Sequence, residues 1–310
     1  KGLAGAGEVT RREFSGPQRF AQAKNWWETI CSEAEIEDPL QRAGTGPICF
    51  GTFTFSDRST DSSVLVVPQT IIGRDSQRMW RTEISIQNNH AQKDSDPTKT
   101  RIAPDMTRKT RDGREKFRSV VEQARAEIRL GVLDKVVLAR EVSIRLSGQR
   151  DWLAALRTLS ESYPDTHVFL VDNFIGASPE TLASVRGSRL TLRVLAGSTP
   201  RGTSAESDTA QAENLMTSAK DLDEHHFAVE GVIHSLLAKG IKAASDDLPF
   251  ALKLPNLWHL ATDIAVDLPQ GFGALSVLEV IHPTPAVAGS PTERALDFIS
   301  SHEEFDRGRY

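Results

Sequence analysis

The stretch Asp134-Lys135-Val136-Val137-Leu138-Ala139-Arg140 sets an amine inside a run that otherwise reads as buried β-structure. The two-residue period of a strand puts Val136, Leu138, Val142 and Ile144 on one face and Lys135, Val137 and Ala139 on the other. A lysine among small apolar neighbours loses solvation unless a partner or a task compensates. Two readings follow. The residue is an edge-strand lysine with its ammonium in water, or an amine whose pKa burial lowers enough to take a proton from water.

Working outward, Phe117, Val120, Val121, Ala124 and Ile128 have the spacing of an amphipathic helix over 114–130, with Gly131 as its C-cap. This helix delivers the chain into the lysine strand. Downstream, the pattern predicts a helix over 152–162, a strand over 167–171, and a segment 174–180 that ends in a tight turn at Pro179-Glu180. Two strands then pair across Arg186-Gly187-Ser188 and lead to Leu195-Ala196-Gly197-Ser198. Residues 205–239 read as the longest helical stretch, with Leu215, Ala219, Leu222, Val229, Ile233 and Leu236 facing inward and Gly240 as the stop. Leu257 to Thr262 reads as a strand, and the proline-rich run 281–289 as a structured loop. Ser290-Pro291-Thr292-Glu293 suggests a capping box with proline at the first helical position, opening a helix to about residue 304.

Upstream, a helical stretch surrounds Asn25 to Ile30. Residues 48–55 and 63–67 form a hairpin candidate, and Ile71-Ile72 and 83–86 can add strands. Residues 87–115 form a polar connection rich in both charges, read as a solvated linker. Strands clustered in hairpins, with helices between groups, indicate an α+β architecture.

The whole composition sets bounds. With 310 residues, 39% of them hydrophobic, the chain can bury a large core. A formal charge of −5 and a pI near 6.0 argue against nucleic acid or an anionic membrane as partner. Cys31 and Cys49 are too few for a disulfide framework, which suits a reducing compartment. No run approaches the roughly 18 apolar residues of a membrane span, and no signal-peptide core opens the chain. A cytoplasmic location is expected.

Several side chains can carry chemistry. Glu180 follows an apolar strand, so its carboxyl can occupy a poorly solvated pocket and donate a proton, or be an ordinary turn glutamate. Asp221 and Glu224 share one helix face and can bind Mg²⁺ together with a substrate's anionic groups, or form a solvated face in which Lys220 pairs with Glu224. His225-His226 is a weak zinc signal, since adjacent residues point to different helix faces. His259 reads as a hydrogen-bonded core histidine. Gly197 and Ser198 offer backbone N–H groups and a hydroxyl to an anion.

The order and wording of these segments carry a resemblance. Asp134-Lys-Val-Val-Leu-Ala-Arg140, Ala177-Ser-Pro-Glu180, Leu195-Ala-Gly-Ser198, Lys220-Asp-x-x-Glu-His225, Trp258-His-Leu-Ala-Thr262, His282-Pro-Thr-Pro-Ala286 and Asp306-Arg-Gly-x-Tyr310 resemble the chorismate-utilising enzymes, most of all the isochorismate synthases. The likeness is dense over 113–310, the catalytic part, whereas 1–112 matches as a variable strand-rich part. It implies an α+β fold of two large antiparallel β-sheets packed together with helices on the outside, and a Mg²⁺-dependent site that converts chorismate to isochorismate. By motif, Lys135 is implied as general base and Glu180 as general acid. Glu224 is implied as a Mg²⁺ ligand with Asp221 beside it, and Gly197, Ser198, His259, Ala286 and Tyr310 as the lining of the substrate pocket.

Lys135 favours water over ammonia as nucleophile, since the ammonia-using relatives lack it. Ala286 and Val287 favour stopping at isochorismate rather than eliminating pyruvate as salicylate synthases do. A catalytically silent chorismate-binding module is the other alternative. No obligate partner subunit is implied. The family continues past its Arg-Gly-x-Tyr motif with strands bearing an arginine and with a helix bearing further Mg²⁺-binding glutamates. The resemblance therefore implies that this C-terminal part is missing here, and that residues 1–310 alone are inactive and prone to aggregate.

Overall fold

A computed structural model of the chain describes residues 1–86, 113–142, 151–245 and 248–310. The linker expected over 87–115 and Ile144 therefore lie wholly or partly outside the described residues. The chain divides into two compact units, one of residues 1–108, 171–174 and 307–310, the other of residues 109–170 and 175–306.

The first unit holds β1 (Gly2–Ala6), β2 (Thr10–Phe14), α1 (Arg19–Glu33), β3 (Phe50–Thr52), β4 (Ser63–Val67), β5 (Thr70–Arg74) and β6 (Met79–Glu83). They form two antiparallel sheets, ordered β1-β5-β6 and β2-β4-β3. The expected hairpin is the β3–β4 pair. The last strand ends at Glu83, where 83–86 was the expected span, so its register begins earlier, at Met79 opposite Arg74. Asp172, at φ +50°, lies between two guanidinium groups of this unit, Arg11 and Arg309, the latter at 2.7 Å. Arg11 first, then Arg309, hold its carboxyl down at about 2. Arg309 also donates through Nε to Ser62 O at 2.9 Å, which fastens the Arg-Gly-x-Tyr segment into this unit.

The second unit holds α2 (Arg114–Arg129), β7 (Lys135–Val136), α3 (Trp152–Ser162), most of the β8 (His167–Val171) and β9 (Phe174–Ser178) pair, β10 (Ser184–Arg186) and β11 (Arg189–Pro200). It continues with α4 (Ala205–Thr217), α5 (Ala219–Leu237), β12 (Phe250–Lys253), β13 (Leu257–Asp267), α6 (Ala274–Ile281), β14 (Gly289–Ser290) and α7 (Thr292–His302). The α+β class and the antiparallel pairing are as expected. Among the described residues the strands fall in five sheets, the largest being the antiparallel β10-β11-β13-β12. The side chains of Leu190, Leu192, Val194 and Ala196, two apart on β11, and of Ile264 and Val266 on β13 form one apolar face. Helix α5 covers it with Ala228, Val229, Val232, Ile233 and Leu236. Truncating Leu236, fully buried there, to alanine costs about 2–5 kcal/mol.

Four sequence expectations need correction. The helix expected over 205–239 is two helices, because Ser218 is extended at φ −70°, ψ 109° and caps the second by accepting from Asp221 N. Ala219, placed inward by periodicity, is consequently an exposed first residue of α5. The lysine strand shrinks to Lys135–Val136, since only these residues find a strand partner. Beyond them Val137 N–H binds Ala288 O and Ala139 N–H binds a carboxylate oxygen of Glu303. Finally, α7 starts at Thr292 after Pro291 and no side-chain cap forms. Ser290 instead pairs with Lys135 and turns its hydroxyl to Asp134. Helix α6 has no counterpart in the sequence reading.

Candidate active site

Lys135 owes its position to packing on one side and backbone pairing on the other. Val136 and Leu138 pack against Val120, Ala124 and Leu133 and against Ala295 and Phe298 of α7. Opposite, Gly289 crosses the strand with φ +142°, and a Cβ there would lie 2.3 Å from Lys135 O and 2.7 Å from Ala295 Cβ. No other residue fits. The lysine side chain is 11% exposed and its Nζ lies 3.4 Å from Glu224 Oε1. That contact is an ion pair without hydrogen-bond geometry, so the buried nitrogen has no hydrogen-bond partner. Burial pulls its pKa below the ordinary lysine value, against the opposing charges of Glu224 and Glu180.

Glu180 stands after β9 on the turn the sequence predicts, its N–H bonded to Ser178 Oγ at 3.2 Å. Burial pushes its carboxyl up to about 7, and the Leu195 N–H and the Lys135 charge only moderate that rise. A largely buried lysine drawn toward neutrality thus shares a site with a partly buried glutamate that keeps its proton near neutral pH. The two feel each other's charge.

Glu224 and Asp221 rise from the first turns of α5. Glu224 is 36% exposed and faces Lys135, whereas the bland pairing with Lys220 does not form; Lys220 approaches Asp221 at 3.7 Å instead. Beneath this turn β11 carries a β-bulge. Leu195 faces Ala261 and Ser198 faces His259, so Ala196 and Gly197 together oppose Leu260. Gly197 takes φ +78°, and a Cβ on it would lie 3.1 Å from Asp221 O and 3.2 Å from Leu260 Cδ1. His259 Nδ1 donates to Gly197 O at 3.3 Å, and burial holds its ring below the usual histidine pKa. Gly197, Ser198 and His259 therefore form one patch next to α5. Ala286 packs against the sheet core, beside Val287, which is exposed. Tyr310 belongs to the other unit and is 75% exposed.

His225 is not the half of a zinc pair. It is buried, with Nδ1 3.1 Å from Ala196 O and Nε2 2.7 Å from Thr262 Oγ1, while His226 is exposed. Burial, first of all, lowers its pKa. Thr262 was missed by the sequence reading, as was Asp208, whose carboxylate gathers Arg201, Trp258 Nε1 and Gly202 N–H. Thr262 ends the Trp258-to-Thr262 motif, so its alternation with His259 and Leu260 was the available signal.

The fold agrees with the comparisons. A family model described as chorismate binding enzyme matches residues 1–310, and the chain belongs to that family. It is 29% identical over 328 aligned positions to a Pseudomonas aeruginosa protein named salicylate biosynthesis isochorismate synthase, covering 95% of this chain and 67% of that one. It is 34% identical over 195 residues to isochorismate synthase MenF of Bacillus subtilis, covering 61% of this chain but 41% of that protein. The crystal structure of DhbC from Bacillus anthracis superposes with a TM-score of 0.74 at 26% identity, over 99% of this chain and 77% of that one. The chain thus spans between 41% and 67% of these two curated relatives. Among the described residues, no helix is long and apolar enough to cross a membrane.

Proposed function

We propose that this chain carries the catalytic site of an isochorismate synthase, with Lys135 as base and Glu180 as acid. The observation that carries the reading is the opposed displacement of the two pKa values, the amine lowered and the carboxyl raised to about 7. Each group is biased toward the protonation state its role needs. The neutral Lys135 amine takes a proton from water as the water oxygen bonds to C2 of chorismate. Both conjugated ring double bonds shift, C1=C2 to C1=C6 and C5=C6 to C4=C5, the C4–O bond breaks, and the Glu180 carboxylic acid gives its proton to the departing oxygen. One water enters and one leaves, so product and substrate are isomers.

Among the described residues no group of three or more His, Cys, Asp or Glu side chains could cage a metal. A partly exposed Glu224 with Asp221 one turn away suits a cation that completes its shell with substrate carboxylate and water, as Mg²⁺ does. Bound there, Mg²⁺ would neutralise the ring carboxylate. Glu224 would hold it, Asp221 would support that geometry, and Gly197, Ser198, His259 and Ala286 would line the substrate side.

Chromatography of products after incubating the protein with chorismate and Mg²⁺ tests the proposal. Isochorismate alone is the expected result. Salicylate with pyruvate would transfer the reading to a salicylate synthase and discredit Ala286 and Val287 as discriminators. No turnover together with Mg²⁺-indifferent chorismate binding would leave a silent binding module.

A further inference from the structure

Two histidines grip consecutive carbonyls of the β11 bulge, His225 that of Ala196 and His259 that of Gly197. A carbonyl oxygen only accepts, so His225 Nδ1 must carry the hydrogen. In the neutral ring Nε2 is then bare, and the Thr262 hydroxyl, 2.7 Å away, donates to it. The alternative tautomer would leave a buried lone pair facing the Ala196 oxygen, an unsatisfied arrangement that burial penalises. His225 is 3% exposed and Thr262 2%, each at the apolar interface where α5 meets the sheet. A polar triad there offers less to stability than well-packed apolar side chains and more to uniqueness of geometry.

We infer that Thr262 and His225 are positioning residues for the reaction. The Ala196 carbonyl sets the His225 tautomer, the threonine hydroxyl satisfies the bare Nε2 and so holds the ring in place, and the ring then fixes the Ala196–Gly197 peptide. Because that peptide is planar and trans, turning its C=O toward His225 turns the Gly197 N–H the opposite way. The same ring follows Glu224 in sequence, so it also fixes the roll of α5 that aims Glu224 at Lys135. One hydrogen-bond chain, Thr262 to His225 to Ala196, thereby aligns the glycine–serine side of the site with the glutamate side. The inference rests on the isochorismate synthase reading.

The test uses the full chain with ¹⁵N-labelled histidine, as wild type, Thr262→Val and Thr262→Ser, with His225→Gln to assign the ring signal by its loss. In the wild type the ring nitrogens of His225 should report the Nδ1–H tautomer. In Thr262→Val the Nδ1–H tautomer should persist but the Nε2 signal should shift as its donor is lost, and the KM for chorismate should rise about 10-fold with kcat less affected. Thr262→Ser should restore both. An Nε2–H tautomer in the wild type would overturn the inference. So would a Thr262→Val protein that loses only thermal stability and keeps the wild-type KM. If the wild type converts no chorismate, the reading of the reaction falls, while the ring spectrum and the calorimetric affinity for chorismate across the same variants still decide the relay.

Discussion

Two charged clusters of the second unit, each with a carboxylate and a cation, are built to opposite ends. Around Asp208, Arg201 donates through Nε and Nη2 at 2.6 and 2.7 Å, Trp258 Nε1 at 2.9 Å and Gly202 N–H at 3.0 Å, with Lys253 at 3.4 Å. Arg201 above all holds that carboxyl well below the usual carboxylate range. Four hydrogen bonds reach the carboxylate, and the group is a fixed anion that ties the start of α4 to the ends of β11, β12 and β13. Around Lys135, the amine has an ion-pair contact without a hydrogen bond, and burial outweighs charge for it and for Glu180 alike. Saturation marks a structural cluster, and incomplete satisfaction marks groups able to exchange protons.

The sharpest way to break this contrast is Lys135→Ala. Turnover should fall by about 10²–10⁴ while calorimetric affinity for chorismate stays close to wild type; unchanged turnover would remove Lys135 from the chemistry. Next comes Glu224→Gln, expected to weaken Mg²⁺-dependent chorismate binding about 10–100-fold by the same calorimetry. Binding that ignores both Mg²⁺ and the substitution would place the cation elsewhere.

Glu180 sharpens the comparison through pH. Its carboxyl sits at about 7 in the fold against an ordinary 4.5. The folded state therefore holds a proton that the unfolded chain has released between those values, so stability declines as pH rises through that window. The displacement corresponds to about 3 kcal/mol, which denaturant titrations of wild type and Glu180→Gln at both ends of the window should reveal as a slope lost in the variant. As the acid form is the active one, wild-type kcat should also decline as pH rises through about 7. The smallest kinetic effect belongs to the saturated cluster. Asp208→Asn should lower Tm and leave the kinetic constants of the folded protein near wild type; a loss of kcat would show that both clusters serve the reaction.

Much of this was legible in the chain itself. Residues 152–162 and 167–171 are a helix and a strand as their periodicity implies, and Gly131 and Gly187 turn with positive φ where glycine was expected. Local rules suffice there, because helix and strand periods and glycine's freedom act over a few residues. The break at Ser218 was hidden because apolar spacing continues across it, and a cap is visible only once the following N–H turns toward the serine. The brevity of the lysine strand was hidden for a related reason, since a strand extends only as far as its partner and Gly289-Ser290 is a distant, two-residue partner.

The sequence by itself determined the α+β class and singled out Lys135, Glu180, Glu224 and His259 as the candidates for chemistry. Tertiary structure alone decided that Lys135 faces Glu224 rather than water, that His225 spends both nitrogens on Ala196 and Thr262, and that Asp208 is saturated while Glu180 is not. The reason is that solvation and pKa belong to an environment, and here that environment is assembled from strands and helices far apart along the chain.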